Sequence, residues 1–181
     1  MKDKILEAAK ITIETQGVMF KMDDLAKNLN ISKRTLYEHF SSKQEIIETI
    51  INNLVNDFHK VHHAILIDTT LTIEEKLIKY FSYRSPIFSS LQGEYYRELY
   101  IKMPDVLEFC TKRTEKDWQE LKEFLWEAQK KGQIRNVDID TAILMMKGLM
   151  QLIFYDNSKS LDECYQYCLK GTDIILKGII R

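Results

Sequence analysis

Apolar side chains recur every three or four residues along almost the whole chain, while helix breakers are scarce: two prolines and six glycines in 181 residues. A 3.6-residue period lays an apolar stripe along one face of a helix, and turn-rich stretches between the periodic segments are nearly absent, so an all-α chain is predicted. Hydrophobic residues at 45% and charged residues at 29% suit a globular protein with a real core and argue against disorder.

The pattern separates into about nine helices. Lys2 to Gln16 carries Ile5, Ala8, Ala9, Thr12 and Ile13 on one stripe, with Gly17 where a left-handed closing residue is expected. Asp23 to Asn28 forms a second, short helix whose acidic first turn suits the helix dipole. Asn30 follows, a residue that tolerates the left-handed conformation a tight turn needs. Ser32 is a predicted N-cap for a third helix, Lys33 to Phe40, and Ser41-Ser42 ends it and caps a fourth, Lys43 to about His63. Further helices are predicted over Leu71 to Tyr83, around Leu91 to Tyr100, and over Val106 to Lys131, Ile139 to Tyr155 and Leu161 to Ile180. Asp138 or Asp140 is the expected cap of the segment that starts at Ile139.

The stretch Ile31 to Ile47 is the most informative. Leu36 and Phe40 share the inner side of the third helix, and Arg34, Thr35 and Glu38 fall opposite them at about 100° per residue. Two short helices joined by a tight turn, the second exposed and basic, form a helix-turn-helix, whose second helix enters the DNA major groove. The net charge of −1 gives no support to a basic domain, yet between Lys27 and Lys43 four cations, Lys27, Lys33, Arg34 and Lys43, face only Glu38. Any phosphate-binding surface is therefore a small patch. Lys33 and Arg34 can donate to guanine or phosphate, and Thr35 can meet a thymine methyl or phosphate. Glu38 either accepts from cytosine or is neutral.

The run MDDLAKNLNISKRTLYEHFSSKQEII closely resembles the DNA-binding signature of tetracycline-repressor-like (TetR-family) transcriptional regulators. Two positions depart from it: Asn30 replaces the usual turn glycine, and Lys21 stands where Ser or Thr commonly caps the second helix. The resemblance implies a helix-turn-helix DNA-binding domain over residues 1–46 and a helical ligand-binding and dimerisation domain over 47–181. It assigns Tyr37 and His39 mainly to phosphates, beside Ser32 and Lys43, so the implied DNA-binding set is Ser32, Lys33, Arg34, Thr35, Tyr37, His39 and Lys43. It also implies a homodimer built by the last two helices, through Ile143, Met146, Met150, Ile153, Tyr165, Cys168, Thr172, Ile175 and Ile179. Those helices have extra apolar width, with Leu144, Met145, Leu149 and Leu152, and Leu169, Ile174 and Leu176, beside the main stripes.

The implied function is a one-component repressor that binds a pseudo-palindromic double-stranded operator and is released by a small molecule. The alternative is a helical carrier or interaction protein with a degenerate helix-turn-helix. The central aromatics read first as core, and by resemblance as a cavity for an apolar or amphipathic anion; His62, Tyr80, Tyr83, Arg84, Phe88, Tyr96, Tyr100, Phe109 and Trp118 are its candidate lining. His59, His62 and His63 share a helix face and suit Zn²⁺ or Ni²⁺, but no further ligand stands at a recognisable spacing. No metal site and no cofactor are therefore predicted. No catalytic motif is visible, so no enzyme is expected. Cys110, Cys164 and Cys168 read as free thiols, and with no apolar run near 18 residues a cytoplasmic protein without a membrane segment is expected.

Overall fold

The structure, a computed structural model, describes residues 1–83, 98, 101–155 and 158–180, except the side chains of 153–155 and 161. All eight helices it describes are α-helices: α1 Lys2–Gln16, α2 Met22–Asn28, α3 Lys33–His39, α4 Lys43–Ile67, α5 Ile73–Ser82, α6 Pro104–Lys130, α7 Ile139–Tyr155 and α8 Leu161–Ile179. The predicted segment around Leu91 to Tyr100 lies, Glu98 apart, outside the described residues. None of the described helices is long and apolar enough to cross a membrane.

The compact units do not follow a single cut in the chain. One comprises Met1–Asn56 with the described part of Ser85–Arg113, and the other Asp57–Arg84 with Thr114–Arg181. Helix α4 contributes to both by continuity of the chain.

In the first unit α1 buries Ile5, Leu6, Ala9, Thr12 and Ile13, and α4 buries Ile46, Ile47, Ile50, Ile51, Leu54 and Val55. Helix α3 buries Leu36 completely, with Phe40 just past its end. Seven residues cannot sustain a helix in water, so these two side chains hold α3 in place. The turn between α2 and α3 is a Schellman closure: Ile31 N–H donates to the Ala26 carbonyl at 3.1 Å and Asn30 N–H to that of Lys27 at 3.0 Å, with Asn30 at φ 53°. Asn30 does what glycine does elsewhere. Asn30→Val is expected to lower stability by about 1–2 kcal/mol, because a β-branched residue resists the left-handed region. Urea unfolding checks this, and an unchanged midpoint would show that the turn tolerates any residue.

Helix caps follow the sequence closely. Ser42 Oγ accepts from Glu45 N–H at 3.1 Å at the start of α4, and Asp138 Oδ1 accepts from Thr141 N–H at 2.7 Å at the start of α7. Thr72 with Glu75, and Ser160 with Glu163, form reciprocal capping boxes on α5 and α8. Helix α6 begins at Pro104 itself, since a proline at the first helical position gives up an N–H that has no intrahelical partner. Helix α4 continues past His63 to Ile67 because nothing up to there interrupts it.

The second unit has one main core, with Leu66, Leu77, Tyr80, Phe81, Leu121, Leu125, Ile134, Ile139, Met146, Leu176 and Ile179 at its centre. Several residues of the expected dimer stripe lie in or against this core. Ile143, Met146 and Ile179 are buried in this core, Met150 and Ile175 pack against it, and Cys168 and Thr172 are buried within the same chain. Cys168 donates its thiol to the Leu149 carbonyl at 2.6 Å, and Tyr165 packs on the Cys164–Cys168 pair. The side chain of Ile153 lies outside the described residues. The chain itself covers Ile143, Met146, Cys168, Thr172 and Ile179, while Met150, Tyr165 and Ile175 stay partly exposed. Of the apolar residues beside the stripe, Leu176 joins the core, but Leu144 is 69% exposed, Ile174 72%, and Met145, Leu152 and Tyr167 are also exposed.

Candidate nucleic-acid interface

The outward side of α3 is assembled by its cap and two ion pairs. Ser32 Oγ accepts from Thr35 N–H at 3.0 Å, and the two hydroxyls lie 2.8 Å apart, so the cap also orients Thr35. Arg34 is 89% exposed along its side chain and donates Nε to Glu38 Oε1 at 3.0 Å. That contact uses one of the five guanidinium donors and leaves the two terminal nitrogens, the pair that reads guanine or grips phosphate. Glu38 therefore steadies Arg34 from one turn along the helix. Lys33 pairs with Asp23 of α2. Exposed pairs of this kind contribute about 0.2–1 kcal/mol, so both cations exchange readily for a phosphate or a base. Tyr37 is half exposed and His39 partly buried.

Lys43 is placed differently from the other cations. Its ammonium donates to the Val18 carbonyl at 2.9 Å and lies 5.6 Å from the centre of the Phe20 ring. Burial lowers its pKa from the ordinary lysine value. It ties the start of α4 to the loop after α1. Beside it, the backbone N–H and hydroxyl of Ser41 donate to Glu45 Oε2 at 2.6 and 2.7 Å, and these bonds hold the Glu45 carboxyl below its usual range.

The expected ligand lining divides between the units. Phe109 belongs to the first, and His62, Tyr80, Tyr83 and Trp118 to the second, while Arg84, Phe88, Tyr96 and Tyr100 lie outside the described residues. His62 stacks on Tyr80 with ring centres 3.8 Å apart, and Phe58 meets Tyr83 edge-on at 5.5 Å. Tyr83 Oη donates to Asp57 Oδ2 at 2.8 Å. Burial first, then the charges of Asp117 and Glu120, raise the pKa of Tyr80 well above the ordinary phenol value. Trp118 packs against the core with Lys147 over its ring.

A grouping that sequence reasoning missed lies in the same unit. The imidazoles of His59, His62 and His63 face Asp117 and Glu120 of α6. The carboxylates stand 55 to 58 residues away in sequence, beyond the reach of a spacing rule. Their own three-residue interval, matching that of His59 and His62, was the one signal that could have pointed to them.

Residues 5–50 match the family described as bacterial regulatory proteins, tetR family. Over 167 residues the chain is 25% identical to the uncharacterized HTH-type transcriptional regulator YvaF of Bacillus subtilis, covering 85% of this chain and 81% of that one. A 114-residue stretch is 30% identical to IcaR of Staphylococcus aureus, a negative transcriptional regulator of the icaADBC biofilm operon, spanning 55% of this chain and 61% of IcaR. Among solved structures, a transcriptional regulator from Saccharomonospora viridis in complex with choline superposes with a TM-score of 0.72 at 20% identity, covering 99% of this chain and 97% of that one. Residues 5–50 are thus matched by sequence to the TetR family of bacterial regulatory proteins, and 99% of the chain shares the fold of a solved transcriptional regulator.

Proposed function

We propose that this regulator is a ligand-released repressor that binds a pseudo-palindromic operator as a homodimer, with α3 of each copy in a major groove. The observation that carries this reading is α3 itself. A helix fixed from behind by Leu36 presents Lys33, Arg34, Thr35 and Tyr37 outward, two of these held only by exchangeable ion pairs. Repression is supported by the likeness to IcaR, a negative regulator, and a small-molecule effector by the choline held by the Saccharomonospora viridis protein. The second copy is offered the exposed stripe of Leu144, Met145 and Leu152 on α7 with Tyr167 and Ile174 on α8. An effector lowers operator affinity only by the difference in its affinity for the two conformations, about 1–3 kcal/mol of coupling in typical cases.

Base contact and backbone contact separate in a salt-resolved anisotropy titration on DNA selected with the wild-type protein. Arg34→Ala is expected to cost about 1–3 kcal/mol on the selected site and to relax its sequence preference. Lys43→Ala is expected to weaken binding evenly across sequences, and also to lower the unfolding midpoint, since it removes the tie to Val18. Unchanged operator binding in both variants would refute the docking of α3.

A further inference from the structure

We infer that the second unit holds a binding site for one divalent first-row transition-metal ion, formed by His59 Nδ1, Asp117 Oδ1 and Glu120 Oε2. His59 Nδ1 lies 2.5 Å from Asp117 Oδ1 and 3.6 Å from Glu120 Oε2, and the ligand atoms of the three residues all lie within 4.8 Å of one another. An ion about 2.0–2.2 Å from each donor separates neighbouring donors by roughly 3–3.5 Å at tetrahedral or octahedral angles, so small shifts complete such a site.

The second oxygen of each carboxylate is what distinguishes this group from a chance cluster. His62 Nδ1 holds Asp117 Oδ2 at 3.0 Å, and His63 Nδ1 holds Glu120 Oε1. Each carboxylate is thus clamped by one imidazole and directs its remaining oxygen to the point that His59 also faces. Outer partners of this kind fix the orientation of ligating carboxylates in metal sites. Asp117 is anchored further through its backbone carbonyl, which accepts from Tyr80 Oη at 3.3 Å.

Charge balance points the same way. The Asp117 side chain is only 12% exposed and that of Glu120 25%, yet among the described residues neither pairs with a lysine or arginine. Among the described residues, the ion-pair partners of these carboxylates are imidazoles, charged only when protonated. Two converging carboxylates that are partly withdrawn from water call for a positive charge, which a divalent ion supplies. One imidazole nitrogen with two carboxylate oxygens suits Zn²⁺, Ni²⁺ or Mn²⁺ better than a thiolate-seeking ion.

The site lies within one unit and its test needs no DNA, so its failure leaves the operator reading untouched. The tag-free chain, stripped with a chelator, is titrated with Zn²⁺, Ni²⁺ and Mn²⁺ by calorimetry, with Mg²⁺ as a control. About one ion per chain is expected, and a saturating ion raises the melting temperature because it binds the folded state. Asp117→Asn with Glu120→Gln, which preserves shape, abolishes uptake within the titration range. His63→Ala, which removes only a clamp, weakens binding by about 10- to 100-fold. If the wild-type chain takes up none of the three ions and gains no thermal stability, the site does not exist. That result stands on its own even if a variant misfolds. Uptake by the double variant equal to wild type would likewise overturn the assignment.

Discussion

Ile174→Glu combined with Leu144→Glu is expected to convert the protein to a monomer and to weaken operator binding by about 10²–10⁴-fold. In the single chain these two side chains are 72% and 69% exposed, so charges there disturb no internal packing, and surface changes of this kind usually move stability by less than about 0.5 kcal/mol. In a dimer the same positions lie on the only broad apolar stripe that α7 and α8 leave uncovered among the described residues, and burying two carboxylates against a second copy is costly. The DNA effect follows from avidity. One α3 makes few contacts, and linking two makes the second engagement intramolecular, a gain of about 10²–10⁴ over one site alone. Light scattering and anisotropy on one sample read both effects. A double variant that stays dimeric and binds normally would move the interface elsewhere. Met146→Glu is the informative contrast: Met146 is fully buried in the core of its own chain, so that variant unfolds the second unit instead of merely separating copies.

Leu36→Ala is expected to cost about 2–5 kcal/mol of stability and to abolish DNA binding. Leu36 is fully buried and is the one buried residue within the seven of α3. A helix of that length has too few internal hydrogen bonds to survive the loss of its anchor. Because natural domains are stable by only about 5–15 kcal/mol, the loss removes a large share of the margin of the first unit. Most helical signal should persist, since α5, α7 and α8 belong wholly to the other unit. Circular dichroism and urea unfolding, set beside an operator titration, report both quantities. Full operator affinity in Leu36→Ala would mean that α3 is not the reading element.

Helix positions were largely legible in the sequence because they depend on local signals: the 3.6 period, capping serines and aspartates, Gly17, and Asn30 in its left-handed turn. Side-chain direction was legible only where one apolar stripe stood alone, as with Leu36 and Phe40 on α3. On α7 and α8 two apolar stripes lie side by side, and periodicity cannot say which turns inward. Met146, Cys168 and Thr172 went to the core, and Leu144 and Ile174 were left outside. Lys43 reads as a surface cation, yet its long stem carries the ammonium back to Val18. The pairing of His59, His62 and His63 with Asp117 and Glu120 needs two helices brought together by a core formed from residues distant in sequence.

Selection of random duplexes by the purified wild-type protein, followed by sequencing, addresses the role of α3 most directly. Enrichment of a pseudo-palindrome whose half-sites lie about one helical turn apart, and its loss in Arg34→Ala, is the result expected of two recognition helices in successive major grooves. Recovery of no shared motif, with weak binding that depends on salt and not on sequence, would contradict sequence-specific binding by α3.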